Sequence, residues 1–162
     1  MKKILTLILV FCLSITFFGC SNSNPEPDNP QPNPTPVVFS EGLSYELVGG
    51  KYKVTGVGTC VDANIIIPAT YQNKPVVSIA ENAFYLTDAI TSIKIPSSVT
   101  RIEPNAFYLC VGLERVIFEE KQGWMAKTID TLPQGIVLEL NDEVQVAQML
   151  TGTYVAMYWV KV

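Results

Sequence analysis

The stretch SIAENAFYLTDAITSIKIP (Ser78 to Pro96) lies over RIEPNAFYLCVGLERVIFE (Arg101 to Glu119), with NAFYL at the same place in both. Ile79 pairs with Ile102, Ala83 with Ala106, Phe84 with Phe107, Ile90 with Leu113, Ile93 with Val116 and Ile95 with Phe118. The offset is about 23 residues, and self-similarity at such a period marks a chain of stacked units, each too small to bury its own apolar face. The fold is read outward from this internal repeat.

The period falls in the window of leucine-rich repeats. Each unit holds a short alternating strand: Ile65-Ile66-Ile67, Ile93-Lys94-Ile95 and Val116-Ile117-Phe118. Side chains alternate across a strand, so the outer residues of each triplet are expected in the core and Ile66, Lys94 and Ile117 outside. Pro68 and Pro96 cannot donate a ladder bond and belong at strand ends. A second apolar point follows, Val77 and Ile79 in one unit and Val99 and Ile102 in the next. Phe84 and Phe107 then stack as core, and Tyr85 and Tyr108 are read as part of the core wall with the hydroxyl in water, a contact surface being the alternative. The first unit carries an insertion within ATYQNKPVV, where Gln72-Asn73-Lys74-Pro75 reads as a projecting turn.

SIKIPSSVTRIEPNAFYLCVGLERVIF resembles the BspA-type leucine-rich repeat of bacterial surface proteins. The matching elements are Ile95, Pro96, Ser97, Ser98, Val99, Ile102, Ala106, Phe107 and Cys110. YKVTGVGTCVDANIIIPATYQNKPVVSI resembles the opening unit of that family, and the tail from Phe118 to YVAMYWVKV resembles its C-terminal region by less specific motifs. Thr87 departs from the pattern, standing where cysteine is usual. The resemblance implies a right-handed solenoid with a parallel sheet, displayed on a cell surface and used for binding proteins or glycans. It implies no catalytic residues, and no binding residues carry over.

Two clear repeats are fewer than a solenoid needs, so the flanks must close its ends. LSYELVGGKYKVTG places Gly49-Gly50 between alternating strands, a two-residue hairpin signal. On the other side the sequence predicts a strand from Ile136 to Leu140, a helix capped by Asn141 with Val146, Met149 and Leu150 as its apolar stripe, and an end at Gly152. YVAMYWVKV reads as a closing strand, with Trp124 and Trp159 in the core of this cap. The fold class is a β-rich repeat solenoid with a small α+β C-terminal cap.

The N-terminus, MKKILTLILVFCLSITFFGC, sets two lysines before an apolar run of about 15 residues, the plan of a secretory signal peptide rather than a membrane span. Phe17-Phe18-Gly19-Cys20 resembles a bacterial lipobox with Cys20 as the lipidated residue, although the two positions before Gly19 are usually aliphatic and small. An ordinary cleaved signal or an uncleaved anchor is the alternative. SNSNPEPDNPQPNPTP, with six prolines, cannot bury a core and favours extended polyproline II at about 3.1 Å per residue, a tether reaching up to about 50 Å. The expected organisation is signal peptide 1–19, lipidated cysteine and tether 20–38, hairpin cap 39–62, repeats 63–120 and C-terminal cap 121–162.

The formal net charge is −4, and no basic stripe exists to neutralise phosphates, so nucleic acid is not expected as a partner. There is no histidine, which excludes Ser-His-Asp and Cys-His catalysis and histidine-bearing zinc sites. No phosphate loop of the required spacing occurs. Adjacent acids such as Glu119-Glu120 and Asp142-Glu143 read as solvated surface. Neither cofactor nor metal nor enzymatic activity is expected. Cys60 and Cys110 read as packed free thiols, with a bridge between them as the alternative.

The expected function is a surface lipoprotein, anchored through Cys20, whose small repeat domain binds a protein or glycan ligand in the manner of an adhesin. The expected face is a strip of Ile66, Lys94 and Ile117 flanked by Asn64, Ser92 and Arg115, two isoleucines around one ammonium. The alternative is an envelope or assembly component whose strands pair with other repeat proteins.

Overall fold

The computed structural model of the protein describes residues 38–162. The expected signal peptide, Cys20 and the expected tether up to residue 37 lie outside the described residues. Pro36–Val162 is a compact unit.

The chain opens with a hairpin of β1 (Ser44–Val48) and β2 (Lys51–Gly56). Gly49 and Gly50 between them take φ of 57° and 79°, the paired left-handed backbone that a two-residue turn between twisted strands requires. Then come β3 (Asn64–Ile66), a second small hairpin of β4 (Thr70–Tyr71) and β5 (Lys74–Ile79), β6 (Ser92–Ile95), β7 (Arg101–Ile102) and β8 (Arg115–Phe118). The insertion is thus a turn, made by Gln72 and Asn73 at φ of 45° and 61°. The remainder holds β9 (Trp124–Lys127), β10 (Ile136–Val137), α1 (Glu143–Gln148) running into a π-helix (Met149–Thr153), and β11 (Tyr158–Lys161).

These strands form two sheets, and neither closes into a barrel. One is the parallel set β3-β6-β8, with Ile65↔Ile93↔Val116 in register. The other runs β1-β2-β5-β7-β11-β9-β10. Its β2-β5 and β5-β7 pairs are parallel, whereas β11 is antiparallel to both β7 and β9. A single apolar core includes Ile65, Ile67, Ile93, Ile95, Val116 and Phe118 from the repeat triplets, with Val54, Val76, Ile79, Ile102 and Trp159 from the larger sheet.

The repeated NAFYL has a backbone reason. Asn82 and Leu86, and again Asn105 and Leu109, all take φ between 55° and 59°, so each copy is a turn bounded by left-handed residues, the first an asparagine that tolerates that region. Inside the turn, Ala83 and Ala106 are small enough to be buried, while Phe84 and Phe107 fill the core as rings stacked 5.1 Å apart at 8°. The turns bond to one another, Phe84 N–H donating to Ala106 C=O at 2.7 Å and Leu86 N–H to Tyr108 C=O at 3.1 Å.

Five expectations are corrected. Val76, not Val77, is buried, because the β2-β5 pairing shifts register after Tyr52. Tyr85 and Tyr108 are outside, each 43% exposed; the Ala-Phe pair has already filled the interior, so the next residue points to water. The helix is capped by Asp142, not Asn141: its carboxylate accepts from Val144 N–H and Gln145 N–H at 3.0 and 3.1 Å. Gly152 lies within the π-helix, whose C-cap is Tyr154. The strand expected over Ile136 to Leu140 is a strand only at Ile136 and Val137, which pair with β9, and Leu138 adds one backbone bond, its N–H donating to the Trp124 carbonyl at 2.9 Å. Leu138 and Leu140 are buried beyond it.

The remaining core readings hold. Trp124 and Trp159 are buried, and their indole N–H groups donate to the carbonyls of Glu120 and Tyr154 at 3.0 and 3.2 Å. Cys60 and Cys110 are free thiols. Cys110 donates to the Thr87 carbonyl at 3.1 Å, and burial pushes its thiol up to about 11.

Candidate functional site

The outward face of β3-β6-β8 is built by register alone. Parallel pairing sets Asn64↔Ser92↔Arg115 in one row and Ile66↔Lys94↔Ile117 in the next. All six residues singled out from the sequence therefore meet on one sheet, while Cys20 lies outside the described residues.

Within the strip the chemistry differs from the expectation. Lys94 is not a free ammonium: its Nζ lies 2.9 Å from Glu119 Oε1. Hydrogen bonding to Lys94, with a smaller contribution from Ser97 N–H, holds the Glu119 carboxyl below its usual value. Ser92 is buried rather than displayed, because its hydroxyl donates to Asn64 Oδ1 at 2.6 Å. Ile66 and Ile117 are half-buried beside Lys94. Arg115 is exposed and, among the described residues, stands in no ion pair. The cation free to meet a ligand on this face is the guanidinium, and Glu119 belongs to the site as the group that neutralises Lys94. Glu119 lies one position beyond the alternating triplet, so strand periodicity gave no reason to include it.

Helix α1 packs alongside β8 and gives the Arg115 end of the strip a wall. Between them lies a hollow of about 470 Å³ floored by Leu113 and Ala147, with Glu114, Arg115 and Gln148 among its polar groups. Nothing in the sequence placed this helix against that strand, since its apolar stripe shows that it packs but not where. At the opposite edge Ser40 closes β3: its N–H donates to Ile66 C=O and its hydroxyl accepts from Ile66 N–H, both at 3.0 Å.

Residues 63–129, which hold this face and both NAFYL turns, match the family described as BspA type leucine rich repeat region. The chain carries a BspA-type leucine-rich repeat region. The region is similar to parts of several solved bacterial proteins. One, a leucine-rich repeat protein from Bacteroides capillosus, is 30% identical over 52% of this chain and 66% of its own, with a TM-score of 0.44. A leucine rich cell surface protein from Faecalibacterium prausnitzii is 29% identical over 55% of this chain and 25% of its own, with a TM-score of 0.45. A leucine-rich repeat protein of T. pallidum is 25% identical over 49% of this chain and 38% of its own, with a TM-score of 0.44. In each case this chain spans less than two thirds of the similar protein. No curated protein matches the sequence.

Proposed function

We propose that this chain is a surface-displayed binding module, held to a membrane through a lipid on Cys20 and a proline-rich tether, whose BspA-type repeat face recognises a protein or glycan without chemistry. In this reading the repeats form a short right-handed solenoid, closed at one end by the β1-β2 hairpin and at the other by the α+β elements that follow β8. The observation that carries the reading is the register of the β3-β6-β8 face, which gathers two half-exposed isoleucines, an internally neutralised lysine and the unpaired Arg115 into one strip. A guanidinium beside apolar surface suits a ligand with a carboxylate or a planar polar group next to an apolar one. The strip is small, so strong attachment would need adjoining loops or several anchored copies.

Pairing of β3 or β8 with the strands of another repeat protein is less well supported, because Ser40 occupies one edge of that sheet and α1 lies along the other. The test is a screen of a chain beginning at Pro36 against extracellular proteins and a glycan array, beside an Arg115→Glu, Ile66→Ser, Ile117→Ser variant. A hit lost in the variant while its near-ultraviolet circular dichroism is unchanged supports this face. A hit that the variant retains, or no hit from either chain, overturns it.

A further inference from the structure

The NAFYL turns leave their tyrosines and leucines outside the core. Tyr85 and Tyr108 stack with ring centres 5.8 Å apart. Leu86, Leu109 and Val111 continue the ridge at 57, 39 and 77% exposure. Single exposed apolar residues are ordinary, but five large ones along two adjoining turns form a contiguous patch. Both leucines also hold left-handed backbone, where Cβ crowds the following carbonyl and Gly, Asn or Asp is the usual occupant. Burial does not account for leucine there.

The ladder between the turns has a direction. The first turn gives its N–H groups and the second receives them at its carbonyls, so the ridge ends in unused carbonyls on one side and unused N–H groups on the other. The inner groups are closed off, since Gly56 stands against the Ala83 carbonyl and Phe107 is buried. The outer groups lie at exposed residues. Tyr85 C=O accepts only the Thr87 hydroxyl, at 3.4 Å, and among the described residues Leu109 N–H has no partner. Beside Leu109 is a hollow of about 260 Å³ lined by Leu109, Cys110, Val111, Leu113 and Thr151. One more turn of the ladder would put its leucine there, and at the far end Leu86 projects into solvent.

We propose that copies of this chain associate head to tail by continuing this ladder. Leu86 of one copy enters the hollow beside Leu109 of the next. Tyr85 stacks on the neighbour's Tyr108, and the neighbour's Leu109 N–H donates to the Tyr85 carbonyl. Donor meets acceptor and projection meets hollow, so the partner that fits is a second copy. The contact uses different patches on its two sides, so it extends into rows instead of stopping at a dimer. It goes beyond the ligand-binding reading and shares no residue with the strip around Arg115, so either can fail alone.

Sedimentation velocity of the chain beginning at Pro36 tests this. The wild type should show a weight-average sedimentation coefficient that rises past the dimer value with concentration. Leu86→Asp removes the projection, at a backbone position that suits aspartate, and Val111→Asp puts a charge at the rim of the hollow. Both sites are exposed, so both variants should keep the wild-type circular dichroism and sediment as monomers. Mixed in equal amounts they should form one-to-one dimers, because one keeps the hollow and the other the projection. A wild type that stays monomeric at every concentration overturns the proposal. So does a single variant that still associates, or a mixture that fails to pair.

Discussion

Gly112 stands where the second repeat crosses closest to the first. A Cβ on it would lie 2.1 Å from the Asp88 carbonyl oxygen and 3.0 Å from that of Ile90, both backbone atoms that no rotamer change can move. An ordinary contact begins near 3.4 Å, so Gly112→Ala must part the two passes by about an ångström. Bonds that join them on either side span 3.1 Å (Leu86 N–H to Tyr108 C=O) and 2.9 Å (Glu114 N–H to Thr91 C=O), and such a shift would take both beyond hydrogen-bonding range. With about 1 kcal/mol for each bond and about 1–2 for the loosened packing, the substitution should cost about 3–4 kcal/mol. Gly152→Ala is the control, since nothing lies within 4 Å of its Cβ. A helical alanine there should stabilise by about 0.5–1 kcal/mol. Urea unfolding followed by the fluorescence of the buried Trp124 and Trp159 measures both. A Gly112→Ala midpoint within about 0.5 kcal/mol of wild type, at unchanged slope, would refute the close crossing.

Phe84→Ala and Phe107→Ala should each cost about 3–5 kcal/mol, and a double-mutant cycle in the same assay should return about 0.5–1.5 kcal/mol of coupling from the stacked rings. Asp142→Ala should lose about 1 kcal/mol, whereas Asn141→Ala should change little, which tests the cap assignment directly by denaturation. Because the folded Glu119 carboxyl titrates below its unfolded value, its pair with Lys94 stabilises above the unfolded pKa. That contribution is lost as pH falls through the folded pKa. Lys94→Met should therefore narrow the stability difference between neutral and strongly acid solution, by under about 1 kcal/mol for a solvent-facing pair. Cys110, buried and raised to about 11, should resist a thiol reagent until the chain is unfolded, as spectrophotometric titration of thiols with and without urea would show.

The repeat was legible because its demands are local. Alternation fixed which of Ile65-Ile66-Ile67 and its two counterparts face the core, and equal spacing fixed the register of Asn64, Ser92 and Arg115. What periodicity could not supply is what each outward side chain touches. Lys94 looked free until the sheet brought Glu119 beside it, and Ser92 looked displayed until its hydroxyl met Asn64. Tyr85 and Tyr108 were misplaced because aromatic character suggests burial, while the turn geometry after Ala-Phe sends the next side chain outward. The C-terminal strands were seen singly, yet what joins them to the repeats is the pairing of β11 with the two-residue β7. A strand that short leaves no hydrophobic pattern of its own, and its pairing depends on residues far along the chain.

The position of β11 between β7 and β9 bears on the order in which the protein can be completed. Ile102 waits for Trp159, so the repeats can coil and the first hairpin can close while the far side of the larger sheet still lacks its middle strand. Until residues 158–161 are in place, β7 and β9 have nothing between them, and the face of Phe118 that Trp159 covers stays open. Contacts between residues so distant in sequence close slowly, and the interval exposes apolar surface and unpaired strand edges. Until β11 pairs, the domain is thus a nearly finished fold with one seam open, and that strand seals it.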